Sequence, residues 1–152
     1  MLEIGQPAPV FTLQSHTQEG VSLTQYKGKK NVILSFHIFS FTGGWTHQVS
    51  SFRQEQSSFE ERDTQVLGIS TDAVATQTAF STSLGNIPYP ILSDFHPKGE
   101  IAEAYGVYNR ERGTANRAIF IIDKQGLIQF QRVYSNMSEF NMDSILNEVD
   151  KL

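Results

Sequence analysis

Hydrophobic and polar positions along the chain change period from element to element. Val32-Ile33-Leu34-Ser35-Phe36-His37-Ile38-Phe39 is a short, nearly continuous apolar run rich in β-branched and aromatic residues. That pattern predicts a strand buried on both faces. After the turn Ser40-Phe41-Thr42-Gly43-Gly44, the apolar residues Trp45, Val49, Phe52 and Phe59 recur at spacings of four, three and seven, one face of a helix. Thr42 suits the cap of that helix, and the glycines suit the tight entry. Such a strand-loop-helix junction aims unpaired backbone N–H groups and a positive dipole end at one place, where many enzymes put their chemistry.

The rest of the chain extends the same logic. Phe11-Thr12-Leu13 and Val21-Ser22-Leu23, with Gly20 between, alternate as a hairpin does. Gln65 to Ser70 reads as a second buried strand, followed by a helix capped by Asp72 and stopped by Gly85 and Pro88. Tyr89 to Ser93 carries a proline and is short, which predicts an edge piece. Lys98 to Tyr105 makes two helical turns ended by Gly106. Arg117 to Ile122 and Leu127 to Val133 form an antiparallel pair about the turn Asp123-Lys124-Gln125-Gly126, and Asp143 caps a last helix with Ile145, Leu146 and Val149 inward. This order predicts an α/β, thioredoxin-like fold: a mixed central sheet flanked by helices, with an N-terminal β-hairpin extension. Residues 1–152 are expected to make one domain.

Composition narrows the function. Hydrophobic residues make up 39% and net charge is −4, and no apolar run approaches the ~20 residues of a membrane helix, so no membrane partner is expected. The one basic cluster, Lys27-Gly28-Lys29-Lys30, is too small for a nucleic-acid footprint and reads as a solvated turn. Met1 to Pro7 has neither a basic nor an apolar leader segment, so a cytoplasmic location is the expectation. Cysteine is absent altogether, which removes disulfides, thiolate catalysis and Cys-based metal sites. His16, His37, His47 and His96 include no pair four apart, so no metal and no cofactor is expected, and His47 is predicted to face solvent.

Gly5-Gln6-Pro7-Ala8-Pro9-Val10-Phe11-Thr12-Leu13, Ser93-Asp94-Phe95-His96-Pro97-Lys98-Gly99-Glu100, Ala104-Tyr105-Gly106-Val107-Tyr108 and Asn116 to Asp123 together carry a resemblance. The chain resembles the peroxiredoxins of the alkyl hydroperoxide reductase C / thiol-specific antioxidant family, its later half being nearest the single-domain one-cysteine type. The resemblance implies the thioredoxin-like fold and an active-site motif of Pro, three residues, Thr or Ser, two residues, then the peroxidatic Cys. In that family the Cys attacks peroxide as a thiolate, the Thr hydroxyl bonds it, and an Arg lowers the thiol pKa and polarises the O–O bond. Carried onto this sequence, Pro becomes Ile38, Thr is kept as Thr42, Cys becomes Trp45, the usual Glu becomes Gln48, and the Arg is kept as Arg117.

Indole has no ionisable nucleophile near neutral pH and its N–H only donates. Reversible reduction of peroxide needs a thiolate or a methionine, and Met1, Met137 and Met142 lie away from the junction in sequence. Ile38, Gln48 and Val10 depart from the family together with Trp45, so a whole constellation has drifted. No active catalytic residue is expected; Thr42, Trp45, Gln48 and Arg117 are relic positions. Trp45 fills the former pocket as a core aromatic, or turns outward toward a partner. Arg117, costly among apolar neighbours, calls for a stack on Trp45 or a carboxylate partner, the alternative being an anion site shared with the helix N-terminus. Phe39, Phe41 and Trp45 flank the loop where the family often dimerises, which makes a homodimer through that loop an expectation. The leading reading is a peroxidase-inactive scaffold or interaction module. The alternatives are an anion or small-ligand binding protein, or an enzyme with non-thiol chemistry at Thr42 and Arg117.

Overall fold

A computed structural model describes residues 2–41 and 43–152, with the side chains of residues 43–46 and 137 outside the description. The expectations resting on Met1, on Thr42 as a cap, and on the position of the Trp45 ring therefore lie outside the described residues. Strand β3 (Asn31–Phe36) is buried at every position. It pairs in parallel with β4 (Thr64–Ser70), from Asn31 opposite Thr64 to Phe36 opposite Ile69. On its other side it runs antiparallel to β8 (Ala118–Ile122), from Val32 opposite Ile122 to Phe36 opposite Ala118.

Around this trio the seven-stranded sheet is completed by β9 (Ile128–Val133) beyond β8, and by β5 (Ile91–Ser93), β1 (Thr12–Ser15) and β2 (Gly20–Ser22) beyond β4. The period of two along the strands sorts their side chains into two cores. Val32, Leu34, Phe36, Leu67, Ile69, Phe120 and Ile122 meet Phe11, Leu23 and Tyr105 on one face. Ile33, Val66, Ile91, Ile119 and Ile121 meet Val49, Phe52, Phe59, Phe80, Ile145 and Val149 on the other. Those last six come from α1 (Gly43–Gln54), α2 (Gln56–Glu61), α3 (Val74–Ser83) and α5 (Met142–Asp150). The short α4 (Glu100–Ala104) covers the first face together with the N-terminal segment and hairpin. A central strand covered on both faces has no polar side to show, hence its unbroken apolar run. A small ladder of β6 (Tyr108–Asn109) and β7 (Thr114–Ala115) leads into β8.

Five expectations need correction. The segment ending at Ser93 is no edge piece: β5 lies inside the sheet, parallel to β4 and antiparallel to β1. Pro90 precedes the first strand residue, so it removes no ladder donor, and its carbonyl accepts from Gly68 N–H at 3.0 Å. The predicted single helix through Phe59 breaks at Glu55, whose N–H bonds the Phe52 carbonyl three residues back in a tighter turn. Phe59 still reaches the same core, with its ring centroid 5.8 Å from that of Phe52.

Asp72 does not cap α3. Ala73 holds that position without a side-chain bond, and the Asp72 carboxylate instead accepts from Ser40 N–H at 2.9 Å and Ser70 Oγ–H at 2.7 Å. Asn141, extended at φ −136, caps α5 by accepting from Ser144 N–H at 3.2 Å, which leaves Asp143 in the first turn, where the helix dipole favours a carboxylate. α4 starts later than predicted, because Gly99 sits at φ +73 where an added Cβ would run into the Tyr108 ring. No helix among the described residues is long and apolar enough to cross a membrane.

Candidate functional site

The strand-loop-helix junction is built at the C-terminal end of β3. Ser35 shares the face of Ile33 and so points toward α1. There it meets Gln48, which donates from Nε2 to Ser35 Oγ at 2.6 Å, with the Phe36 carbonyl at 3.5 Å. Gln48 is only 1% exposed, and its Oε1 has no donor among the described residues. One step past the ladder, His37 is fully buried and its N–H bonds the Ile69 carbonyl at 3.0 Å. Burial pushes its imidazole well below the usual histidine range, against a smaller opposing effect of a hydrogen bond to the backbone of Ser35. His37 therefore stays neutral near pH 7. His47, on the outer side of α1, is exposed, in agreement with the sequence.

The loop that follows is held by a polar network that the sequence pattern did not disclose. Ser40 donates its backbone N–H to Asp72 and its Oγ–H to Gln77 Oε1 at 2.7 Å. Gln77, buried within α3, donates in turn to Ser70 Oγ at 2.5 Å, and Ser70 donates to Asp72. Every member thereby finds a partner, as a buried polar group must. The available signal was Gln77 itself, a long polar residue three before Phe80 on the inward stripe of its helix. Phe41 adopts φ +71 and is 57% exposed, with its ring edge-on to Phe80 at 5.1 Å between centroids. Phe39 is half-buried.

Arg117 stands just before β8, and the pairing of Phe36 with Ala118 makes it the neighbour of His37 past the end of the ladder. Its carbonyl accepts from Tyr134 N–H at 2.8 Å. Its Nε is buried without an acceptor, and no carboxylate pairs with it among the described residues, so that expected partner is missing. Stacking on Trp45 concerns a ring outside the described residues. The arginine seen over an aromatic face is Arg132, 4.9 Å from the centroid of Tyr134, with Glu139 at 3.6 Å. Arg117 and Ile38 line one cavity of about 270 Å³ together with Arg112, Asn116, Tyr134 and Ser135. The structure thus joins Ile38 with Arg117, and Gln48 with Ser35, on adjoining parts of one junction. Among the described residues no group of three His, Asp or Glu side chains forms a metal site.

The arrangement supplies hydrogen-bond donors and cationic charge around a cavity, with no thiol anywhere in the chain. The AhpC/TSA family model matches residues 4–131, from the N-terminal segment into β9. The chain belongs to the AhpC/TSA family. Ile38, Thr42, Trp45, Gln48 and Arg117 all fall inside the matched span. The chain is similar to alkyl hydroperoxide reductase E of Mycobacterium bovis, at 40% identity over 130 residues covering 86% of this chain and 84% of that one. It is similar to a putative peroxiredoxin of Synechocystis at 36% identity over 147 residues, 91% of this chain and 72% of the other. Among solved structures, the reduced 2-Cys peroxiredoxin of Plasmodium vivax superposes with a TM-score of 0.88 at 28% identity, covering 99% of this chain and 81% of that one. The peroxidoxin BcpB of Mycobacterium tuberculosis gives the same TM-score at 27% identity over 100% and 99% of the two chains. The AhpC/TSA scaffold is thus kept along the chain, while the residue type on which thiol peroxidases depend is absent.

Proposed function

We propose that this AhpC/TSA member is a peroxidase-inactive scaffold whose folded surface, rather than thiol chemistry, is its working part. The observation that carries the reading is the absence of any cysteine from a chain whose residues 4–131 match the AhpC/TSA family. Thr42, Trp45, Gln48 and Arg117 are the relic positions of the lost site. The packing of Gln48 against Ser35 supports this reading, because a neutral amide now fills a buried place at the base of α1. The Phe39, Phe41 and Trp45 loop is the proposed contact of a homodimer, supported by the exposed ring of Phe41. The test is peroxide consumption by the purified chain with excess dithiothreitol. The blank rate is expected; turnover above it that disappears in Arg117→Ala would reject the proposal.

A second reading has its own support in the unpaired Nε of Arg117 and the polar cavity it shares with Arg112. An anion bound there would satisfy the guanidinium. Phosphate, sulfate and small carboxylates should then raise the melting temperature of the wild-type chain and not of Arg117→Ala. Flat melting curves with all three would dispose of this reading.

A further inference from the structure

A second cavity lies at the opposite end of β3, about 20 Å away along six residues of strand. It has a volume of about 230 Å³ and is bounded by Ala8, Leu23, Val32, Ile122 and Leu127. Four of those walls are nearly inaccessible, at 6%, 6%, 2% and 1% exposure for Ala8, Leu23, Val32 and Ile122. The strand interior supplies Val32 and Ile122. The N-terminal segment closes over them, because Ala8 N–H bonds the Gly126 carbonyl at 2.9 Å and Pro7 bridges to Leu127.

The rest of the lining has a different character: Tyr26 and Lys30 are half-buried and Lys27 is exposed. The Lys27 stem reaches across to the β8–β9 turn, where its Cε would lie 3.9 Å from a Cβ added at Gly126. Neither Lys27 nor Lys30 has a carboxylate partner among the described residues. The one acid in the wall, Asp123, is engaged by the turn: it accepts from Gln125 N–H and Leu127 N–H at 3.0 Å each, and from Gln129 Nε2 at 2.7 Å. An apolar chamber whose lining also includes two lysines without carboxylate partners is the pattern of a site for an amphiphilic anion.

We propose that this cavity binds a small carboxylate with an apolar body of about eight carbons, the chain among Ala8, Leu23, Val32 and Leu127 and the carboxylate between Lys27 and Lys30. The size follows from volume: a dry cavity of ~150 Å³ admits benzene, and a methylene needs about as much room as the ~30 Å³ of a liquid water. The site is independent of Arg117 and of peroxide chemistry.

The test uses the wild-type chain and octanoate at low ionic strength, followed by amide NMR shifts and melting temperature. Octanoate is expected to move the Ala8, Leu23 and Leu127 resonances saturably and to raise the melting temperature. Octanol and octylammonium, which share the tail, should bind roughly tenfold or more weakly, as should octanoate to Lys27→Glu/Lys30→Glu. Absence of binding, shifts centred elsewhere, or equal affinity for octylammonium would overturn the proposal. Unchanged octanoate affinity in the charge-reversed double variant would overturn it as well.

Discussion

Gln48 shows how one buried polar residue can be read through its neighbours. Its amide nitrogen donates to Ser35 at 2.6 Å in a place with 1% exposure. Truncation strands the Ser35 hydroxyl and opens a void beneath α1. Gln48→Ala should therefore cost about 1–3 kcal/mol of stability in urea unfolding, and a cost near zero would contradict the role assigned to it. The histidines set a pH dependence. Burial lowers the pKa of His37 strongly and that of half-buried His16 less, His16 Nδ1 accepting from Ile91 N–H at 3.1 Å. Both folded values lie below the unfolded value of 6.5, so the unfolded chain binds protons first as pH falls. Their stabilisation is complete above that value and is lost below it. Asp94, raised by burial against the opposing N–H bonds of Ala102 and Ile101, has the opposite sign, and its window opens at its unfolded value of 3.8. The urea midpoint should drop between about pH 7.5 and about pH 5.5; an unchanged or higher midpoint at the lower pH would refute the histidine account.

Helix ends show where sequence patterns mislead. Asp72 and Asp143 both precede apolar periodic runs and both look like caps, yet neither is one. Asp72 is drawn away by Ser40 and Ser70, partners brought close only by the packed sheet. Asn141 takes the α5 cap because its backbone is already extended there. Thermal unfolding should separate these roles, with Asn141→Ala costing about 1 kcal/mol and Asp143→Ala only a few tenths. The reverse order would mean that the cap is wrongly placed. Asp72→Ala should cost more than either helix-end change, because it removes two bonds that hold the loop after β3. The strands themselves were legible, since β3, β4 and β8 announce burial on both faces by continuous apolar runs. The interior position of β5 was not. Three residues and a proline say nothing of the hairpin that packs against them from elsewhere in the chain.

At the scale of the molecule, the apolar run and the helical spacing after it located the junction that the structure builds, and the AhpC/TSA match confirms the family that the sequence resembles. Ile38 and Arg117 line one cavity although 79 positions apart in the sequence, a juxtaposition that periodicity alone could not supply. The cavity at the far end of β3 carried no motif, being assembled from an N-terminal segment, a basic turn and a hairpin that only the fold brings together. A dimer through the Phe41 loop predicts a sedimentation coefficient that rises with concentration and falls in Phe41→Ser; identical profiles for the two proteins would remove the loop from the interface.

The AhpC/TSA scaffold of this chain carries no cysteine, and so no thiol that a peroxide could oxidise and dithiothreitol restore. The most direct test of peroxidase inactivity follows hydrogen peroxide and dithiothreitol together in the presence of the cysteine-free chain, freed of contaminating thiol proteins. Less than one peroxide consumed per chain above the blank is the result predicted. Sustained loss of many peroxides per chain, matched mole for mole by oxidised dithiothreitol, would contradict it.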